Sequence, residues 1–147
     1  MTDGFVIKNN IKQIGVANIL KDGEDITIVG TSNQALKALQ AIEELAKEGI
    51  SAEVIDPRIL VPLDKYTIIK SIKKTGRLLI VDEGYERCGV TGEIAMSILS
   101  DVFYHLDAPI ERLPTVNLPL PFSPALEFPI IPDEEKIYQK AKEIVIG

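Results

Sequence analysis

The chain has 147 residues, a net charge of −6 and an apolar fraction of 46%, the profile of one globular domain with a real core. The acidic balance excludes the basic surface on which non-specific nucleic-acid binding runs, and no apolar run approaches the ~20 residues of a membrane span. The lone cysteine, Cys88, has no intrachain disulfide partner, and the amino terminus reads without a signal-peptide core, so a cytoplasmic setting is expected.

Residues 1–14 show no clear period and read as an amino-terminal arm; residues 15–147 read as a single domain. Residues 15–20 and 25–29 are two strand-like runs. Asp22-Gly23 between them predicts a hairpin, because a type I′ turn needs positive φ at both central positions. Gly30-Thr-Ser-Asn33 ends the second run and can cap a helix. Over residues 34–48, Leu36, Leu39, Ile42 and Ala46 recur at helical spacing, and Gly49 supplies a left-handed stop. Residues 51–56 form a strand closed by Asp56-Pro57. An extended connection through Arg58 and Pro62 follows. Asp64 caps a second helix carrying Tyr66, Ile69 and Ile72 and ending at Thr75-Gly76.

Next comes Arg77-Leu-Leu-Ile-Val81, a buried strand. It runs into an acidic, glycine-bearing turn, Asp82-Glu-Gly-Tyr-Glu-Arg-Cys-Gly-Val-Thr-Gly92, and then a helix with Val90, Ile94, Ile98 and Val102 on an i, i+4 ladder. Asp107-Ala-Pro109 breaks that helix, and residues 109–113 form a last strand. Residues 114–132 hold six of the nine prolines and five large apolar residues: Leu118, Leu120, Phe122, Leu126 and Phe128. Such a segment is too apolar for a floppy linker and should lie along the domain surface or in an interface. Asp133-Glu-Glu135 opens a final helix that buries Ile137, Ala141, Ile144 and Val145. The alternation predicts a three-layer α/β/α domain, with a mostly parallel five-stranded sheet and one antiparallel edge strand.

Chemistry is sparse. Gly84 to Thr91 nearly spells the phosphate-binding loop, but Val90 stands where the lysine should be and three carboxylates add repulsion. Gly89 and Gly92 read more simply as letting the helix start close to the sheet. His105, the only histidine, sits at a frayed helix end, and Glu86 opposes activation of Cys88. Asp82, Glu83 and Glu86 match no calcium loop and read as a solvated acidic crest. Arg58 reads as the ion-pair partner of Asp56 or Asp64. On these grounds the chain is a binding or assembly domain.

Several phrases in order resemble a known family: Asp25-Ile-Thr-Ile-Val29, Pro57-Arg-Ile-Leu-Val-Pro-Leu-Asp64, Lys74-Thr-Gly-Arg77, Val81-Asp-Glu83, Leu106-Asp-Ala-Pro109 and Pro121-Phe-Ser-Pro-Ala-Leu-Glu127. From about Gly15 onward the chain is similar to the carboxy-terminal domain of the transketolase superfamily. Within it, the chain most resembles the β subunit of the E1 component of pyruvate or branched-chain 2-oxo acid dehydrogenase complexes. The resemblance implies a parent enzyme, either a separate β subunit or an α–β fusion, that uses thiamine diphosphate bound outside this domain. That parent decarboxylates a 2-oxo acid and acylates a lipoyl arm; this piece alone is expected to be inactive.

Implied partners are the E1 α subunit or an α-type domain, a second β copy, and the small, basic peripheral subunit-binding domain of E2. Carried over by motif, Asp107 matches a docking carboxylate, and the end of the chain near Ile146 and Gly147 is expected to offer the terminal one. The sequence departs from many members at Asp82-Glu83, where histidine-glutamate is common, and at Arg87-Cys-Gly-Val-Thr-Gly92 and Leu113-Pro-Thr-Val-Asn117. Two other readings stand beside this one. One is the corresponding domain of a deoxyxylulose-phosphate synthase or a 2-oxo acid:ferredoxin oxidoreductase. The other is a free-standing α/β domain binding a small ligand at Gly84 to Gly92.

Overall fold

In the computed structural model, which describes residues 13–147, alternating side chains send each core strand's residues to two different helix layers. The expected arm over 1–14 lies almost wholly outside the described residues. The strands are β1 (Asn18–Lys21), β2 (Ile26–Gly30), β3 (Ala52–Asp56), β4 (Leu78–Tyr85) and β5 (Glu111–Thr115), arranged β1-β3-β2-β4-β5. All neighbours are parallel except β1 and β3. The helices are α1 (Asn33–Lys47), α2 (Lys65–Thr75), α3 (Val90–Val102), the single turn α4 (Pro124–Glu127) and α5 (Glu134–Ile146).

Ile26, Ile28, Val54, Leu79 and Val81 pack with Ala38, Leu45, Ile137 and Ala141, so α1 and α5 cover one face. Val29, Ile55, Leu78 and Ile80 pack with Ile68, Ile72, Ile94 and Ile98, so α2 and α3 cover the other. The three-layer arrangement and its single antiparallel edge strand follow the sequence reading.

The expected hairpin does not form. β1 pairs with β3, Asn18 opposite Asp56 and Ile19 opposite Ile55, because β2 is already flanked on both sides by parallel neighbours. The chain instead crosses the foot of β3. The Glu24 and Asp25 N–H groups donate to Ser51 O at 3.0 and 2.7 Å, and the Ser51 N–H donates to Asp25 Oδ2 at 2.7 Å. Gly23 lies outside the left-handed region; it is required there because a Cβ would stand 2.2 Å from the Ala52 carbonyl carbon.

Helix faces also differ from expectation. In α1 the buried residues are Gln34, Ala35, Ala38, Ala41, Ile42 and Leu45, while Leu36 and Ala46 are exposed. Three alanines let the helix approach both the sheet and α5. In α2 Ile68 and Ile72 are buried and Tyr66 is exposed. Asp64 caps α2 as expected, its carboxylate accepting from the Thr67 N–H at 3.1 Å, and Asp133 caps α5 through the Lys136 N–H at 2.8 Å.

Candidate functional site

Parallel strands put the loops after β2, β3, β4 and β5 at one edge of the sheet. Strand order reverses between β2 and β4, so the crevice there is the topological switch point where open α/β sheets usually take ligands. A cavity of about 530 Å³ lined by Thr31, Ser32, Asp56, Arg58 and Asp82 opens there, and hydrogen bonds tie the loops around it. β4 runs on through Tyr85, which pairs with Thr115, so Asp82, Glu83 and Gly84 belong to the strand and not to a turn. The Asp82 carboxylate accepts from the Thr31 hydroxyl and, at 2.7 Å, from the Gly84 N–H. Glu83 accepts from Gln34 Nε2 at 3.0 Å, and Glu86 accepts from Asn117 Nδ2 at 3.1 Å.

The crest is solvated as read from the sequence, with Glu83 and Glu86 exposed, and its carboxylates also tie neighbouring loops together. Among the described residues no group of three or more His, Cys, Asp or Glu is placed to hold a metal. Ser32, Arg58 and Cys88, one in each of the loops after β2, β3 and β4, have φ of 50°, 59° and 55°. Gly89 is needed beside them, since a Cβ would stand 1.9 Å from Tyr85 O. The expected Arg58 ion pair does not form. Asp56 accepts from the Arg58 backbone N–H at 2.8 Å, while Asp64 is taken by Thr67 and by the Ala17 N–H at 2.9 Å. The crest suits a diphosphate poorly: Val90 stands where a phosphate-binding loop has its lysine, and two carboxylates, Asp56 and Asp82, line the crest cavity with Arg58.

The opposite edge carries the residues expected at a docking surface. After α3 a short 3-10 turn (Phe103–His105) leads to Asp107, and His105 is exposed. The Asp107 N–H donates to Gly76 O at 2.8 Å, and its carboxylate lies 4.0 Å from Arg77 Nη1 with 66% of the side chain exposed. Gly76 closes α2 at φ 69°, a left-handed conformation that favours glycine; a Cβ there would also meet Asp107 Oδ2 at 2.2 Å, so the exposed carboxylate would have to swing aside.

Asp107 stands at the rim of a groove of about 480 Å³ whose apolar wall includes Met96, Leu99, Phe103 and Leu106. Gly147 lines a shallow pocket with Ala108, Pro109 and Lys140. The fold thus brings Gly147 beside the two residues that follow Asp107, and Ile146 is exposed. Partial burial pulls the Lys140 pKa down, but hydrogen bonds to Glu111 and Glu143 outweigh it and hold the ammonium above its ordinary 10.5. The groove was invisible in the sequence, because α3 and the run into β5 meet only in the fold.

Fold and site together define a doubly wound, three-layer α/β domain with an internally tied crest at one sheet edge and an apolar groove rimmed by a carboxylate near the other. The chain belongs to the transketolase C-terminal domain family; the family described as "Transketolase, C-terminal domain" matches residues 15–137. It is 46% identical over 129 residues to the pyruvate dehydrogenase E1 component subunit beta-1, mitochondrial, of Oryza sativa subsp. japonica, covering 88% of this chain and 34% of that protein. It is 41% identical over 132 residues to the acetoin:2,6-dichlorophenolindophenol oxidoreductase subunit beta of Bacillus subtilis, covering 90% of this chain and 39% of that one. The chain thus spans between a third and two fifths of the length of these two relatives. A solved split-gene transketolase, described as an inactive β4 tetramer, matches with a TM-score of 0.75 and 25% identity over 94% of this chain and 44% of its own.

Proposed function

We propose that this chain is the assembly and docking domain of a thiamine-diphosphate-dependent E1 component that oxidatively decarboxylates a 2-oxo acid and acylates the lipoyl group of E2. The observation that carries the reading is the 46% identity to an E1 β subunit across 88% of the chain. In this reading the cofactor is held by the other domains of the parent enzyme, whether a separate β subunit or an α–β fusion, and the E1 α subunit or α-type domain completes the active site. The poor fit of the crest to a diphosphate supports that division.

Asp107, at the rim of the groove, with Ile146 and Gly147 nearby, forms the surface for the basic peripheral subunit-binding domain of E2. A chain at −6 attracts such a partner over distance, and the exposed carboxylate pairs with it on contact. Choice of substrate lies elsewhere in the parent, since the same domain at similar identity occurs in a relative named for acetoin.

The test is calorimetric titration of the chain with a basic E2 peripheral subunit-binding domain at low and high salt, alongside thermal shift with thiamine diphosphate. Binding that weakens with salt, with no shift from the cofactor, is expected. A cofactor-induced rise in melting temperature would overturn the division of labour; failure to bind the E2 domain would overturn the docking role.

A further inference from the structure

The cavity at the crest lies at the switch point of the sheet, and the docking surface at the other edge makes no use of it. Its volume, about 530 Å³, is that of a small-molecule site. The loop after β2 gives it the hydroxyls of Thr31 and Ser32. The loop after β3 gives Asp56, Arg58 and an apolar wall of Pro57 and Leu60, and β4 gives Asp82.

These polar groups keep bonding capacity free. Thr31 is only 8% exposed; its hydroxyl donates to Asp82, which leaves the oxygen able to accept. Ser32 precedes α1, but its hydroxyl does not cap the helix. Asp56 accepts the Arg58 N–H through Oδ1. Among the described residues its other oxygen accepts no hydrogen bond, and the Arg58 guanidinium makes no ion pair. Ser32 and Arg58 also hold left-handed backbone, at φ 50° and 59°. Strain of that kind gathers at ligand clamps.

Charge selects the ligand. Two carboxylates share the cavity with one guanidinium. A phosphate or a simple carboxylate is repelled by Asp56 and Asp82. A metal cation is repelled by Arg58 and finds, among the described residues, no set of three His, Cys, Asp or Glu ligands. A plain amine satisfies the carboxylates and leaves the guanidinium unused. A molecule with an ammonium and a carboxylate on one carbon answers both signs.

We propose that the crest cavity binds a free α-amino acid with an aliphatic side chain. Its carboxylate pairs with the Arg58 guanidinium, its ammonium donates to Asp56 and Asp82, and its side chain lies against Pro57 and Leu60. The site does not rest on the E2 reading, since Asp107 stands at the opposite edge.

The experiment is calorimetric titration of the 147-residue chain with leucine. Beside it run isoamylamine, which is leucine without the carboxylate, isocaproate, which lacks the ammonium, and ribose as a neutral polyol. Leucine should bind, and each of the other three at least about ten-fold more weakly. Glycine should also bind more weakly, for want of a side chain on the apolar wall. Arg58→Gly suits the φ of 59° and removes only the guanidinium. Asp56→Asn removes the charge and keeps an acceptor for the Arg58 N–H. Each should weaken leucine binding at least about ten-fold, with the melting temperature of the free chain nearly unchanged. Met96→Lys, in the groove at the other edge, should leave leucine affinity as it was.

A chain that takes up no leucine at millimolar concentration, by calorimetry or by thermal shift, would overturn the proposal. So would isoamylamine or ribose binding as tightly as leucine, or leucine binding that survives both crest variants or is abolished by Met96→Lys.

Discussion

The Asp64 carboxylate accepts the Ala17 N–H at 2.9 Å, so the residue that caps α2 also holds the approach to β1. The same carboxylate takes the Thr67 N–H at 3.1 Å and the Thr67 hydroxyl at 2.6 Å. Partial burial pushes its pKa up, but the hydrogen bonds from the Thr67 hydroxyl and from the Ala17 and Thr67 N–H groups outweigh this and hold it below its usual 3.8. A carboxylate depressed in the folded state stabilises fully above its unfolded value, and that contribution is lost as pH falls through the folded one. Asp64→Ala should therefore lose about 1 to 2 kcal/mol at neutral pH. The gap to the unsubstituted chain should narrow on acidification below about pH 4. Urea unfolding at both pH values checks it; a constant gap would remove the ionised cap from the account.

Asp107→Lys reverses a largely exposed charge beside Arg77. The substitution should weaken binding of a basic E2 peripheral domain roughly ten-fold at low salt and less at high salt. Melting temperature should hold nearly constant, since the side chain is not core. Equal affinity at both salt levels, measured by titration calorimetry, would take Asp107 off the docking surface.

Glu53 lies inside the α2 layer at 2% exposure, paired with Lys74, which also reaches Asp22 at 2.6 Å. Removing the ammonium by Lys74→Met strands a buried carboxylate. Since Lys74 itself is a third exposed, the loss should be about 2 to 3 kcal/mol, below that of a fully buried pair. Adding Glu53→Gln to that variant should recover part of it, because the stranded charge is gone. Thermal melts of the single and double variants decide whether burial of Glu53 is the cause.

Ile137 is fully buried where α5 meets α1 and the sheet. Ile137→Ala should destabilise the domain by about 2 to 5 kcal/mol, and deletion of residues 134–147 should expose that whole face. Denaturant midpoints test both; an unchanged midpoint for the truncated chain would mean that α5 is not part of the core.

The sequence made element type plain where one local signal agreed with the next. Asp64 and Asp133 marked helix starts, and Gly76 marked a stop. What it concealed was decided by pairing between distant segments. Asp22-Gly23 is a good local turn, but β2 has no open edge for β1, and only the order of parallel strands reveals that. Likewise Leu36 has the periodicity of a core residue, yet the helix buries Ala35 and Ala38 because close approach to two neighbours favours small side chains. Asp107 was nameable from its motif, whereas the groove beside it exists only once α3 and β5 have been brought side by side. Thr27 gave no signal at all, although its hydroxyl bonds Ser71 at 2.6 Å and Thr75 at 2.7 Å inside the α2 layer.

The pairing of β1 with β3 has a consequence for the order in which the domain is made. Among the described residues, β1 has no template until β2, α1 and β3 are in place, since the strand it pairs with ends at Asp56. During synthesis, residues 18–21 must wait for more than thirty later residues to emerge and fold before they can close the edge. A strand made before β2 and β3 is thus seated after them, and until then the outer rim of β3 is open to any other extended segment.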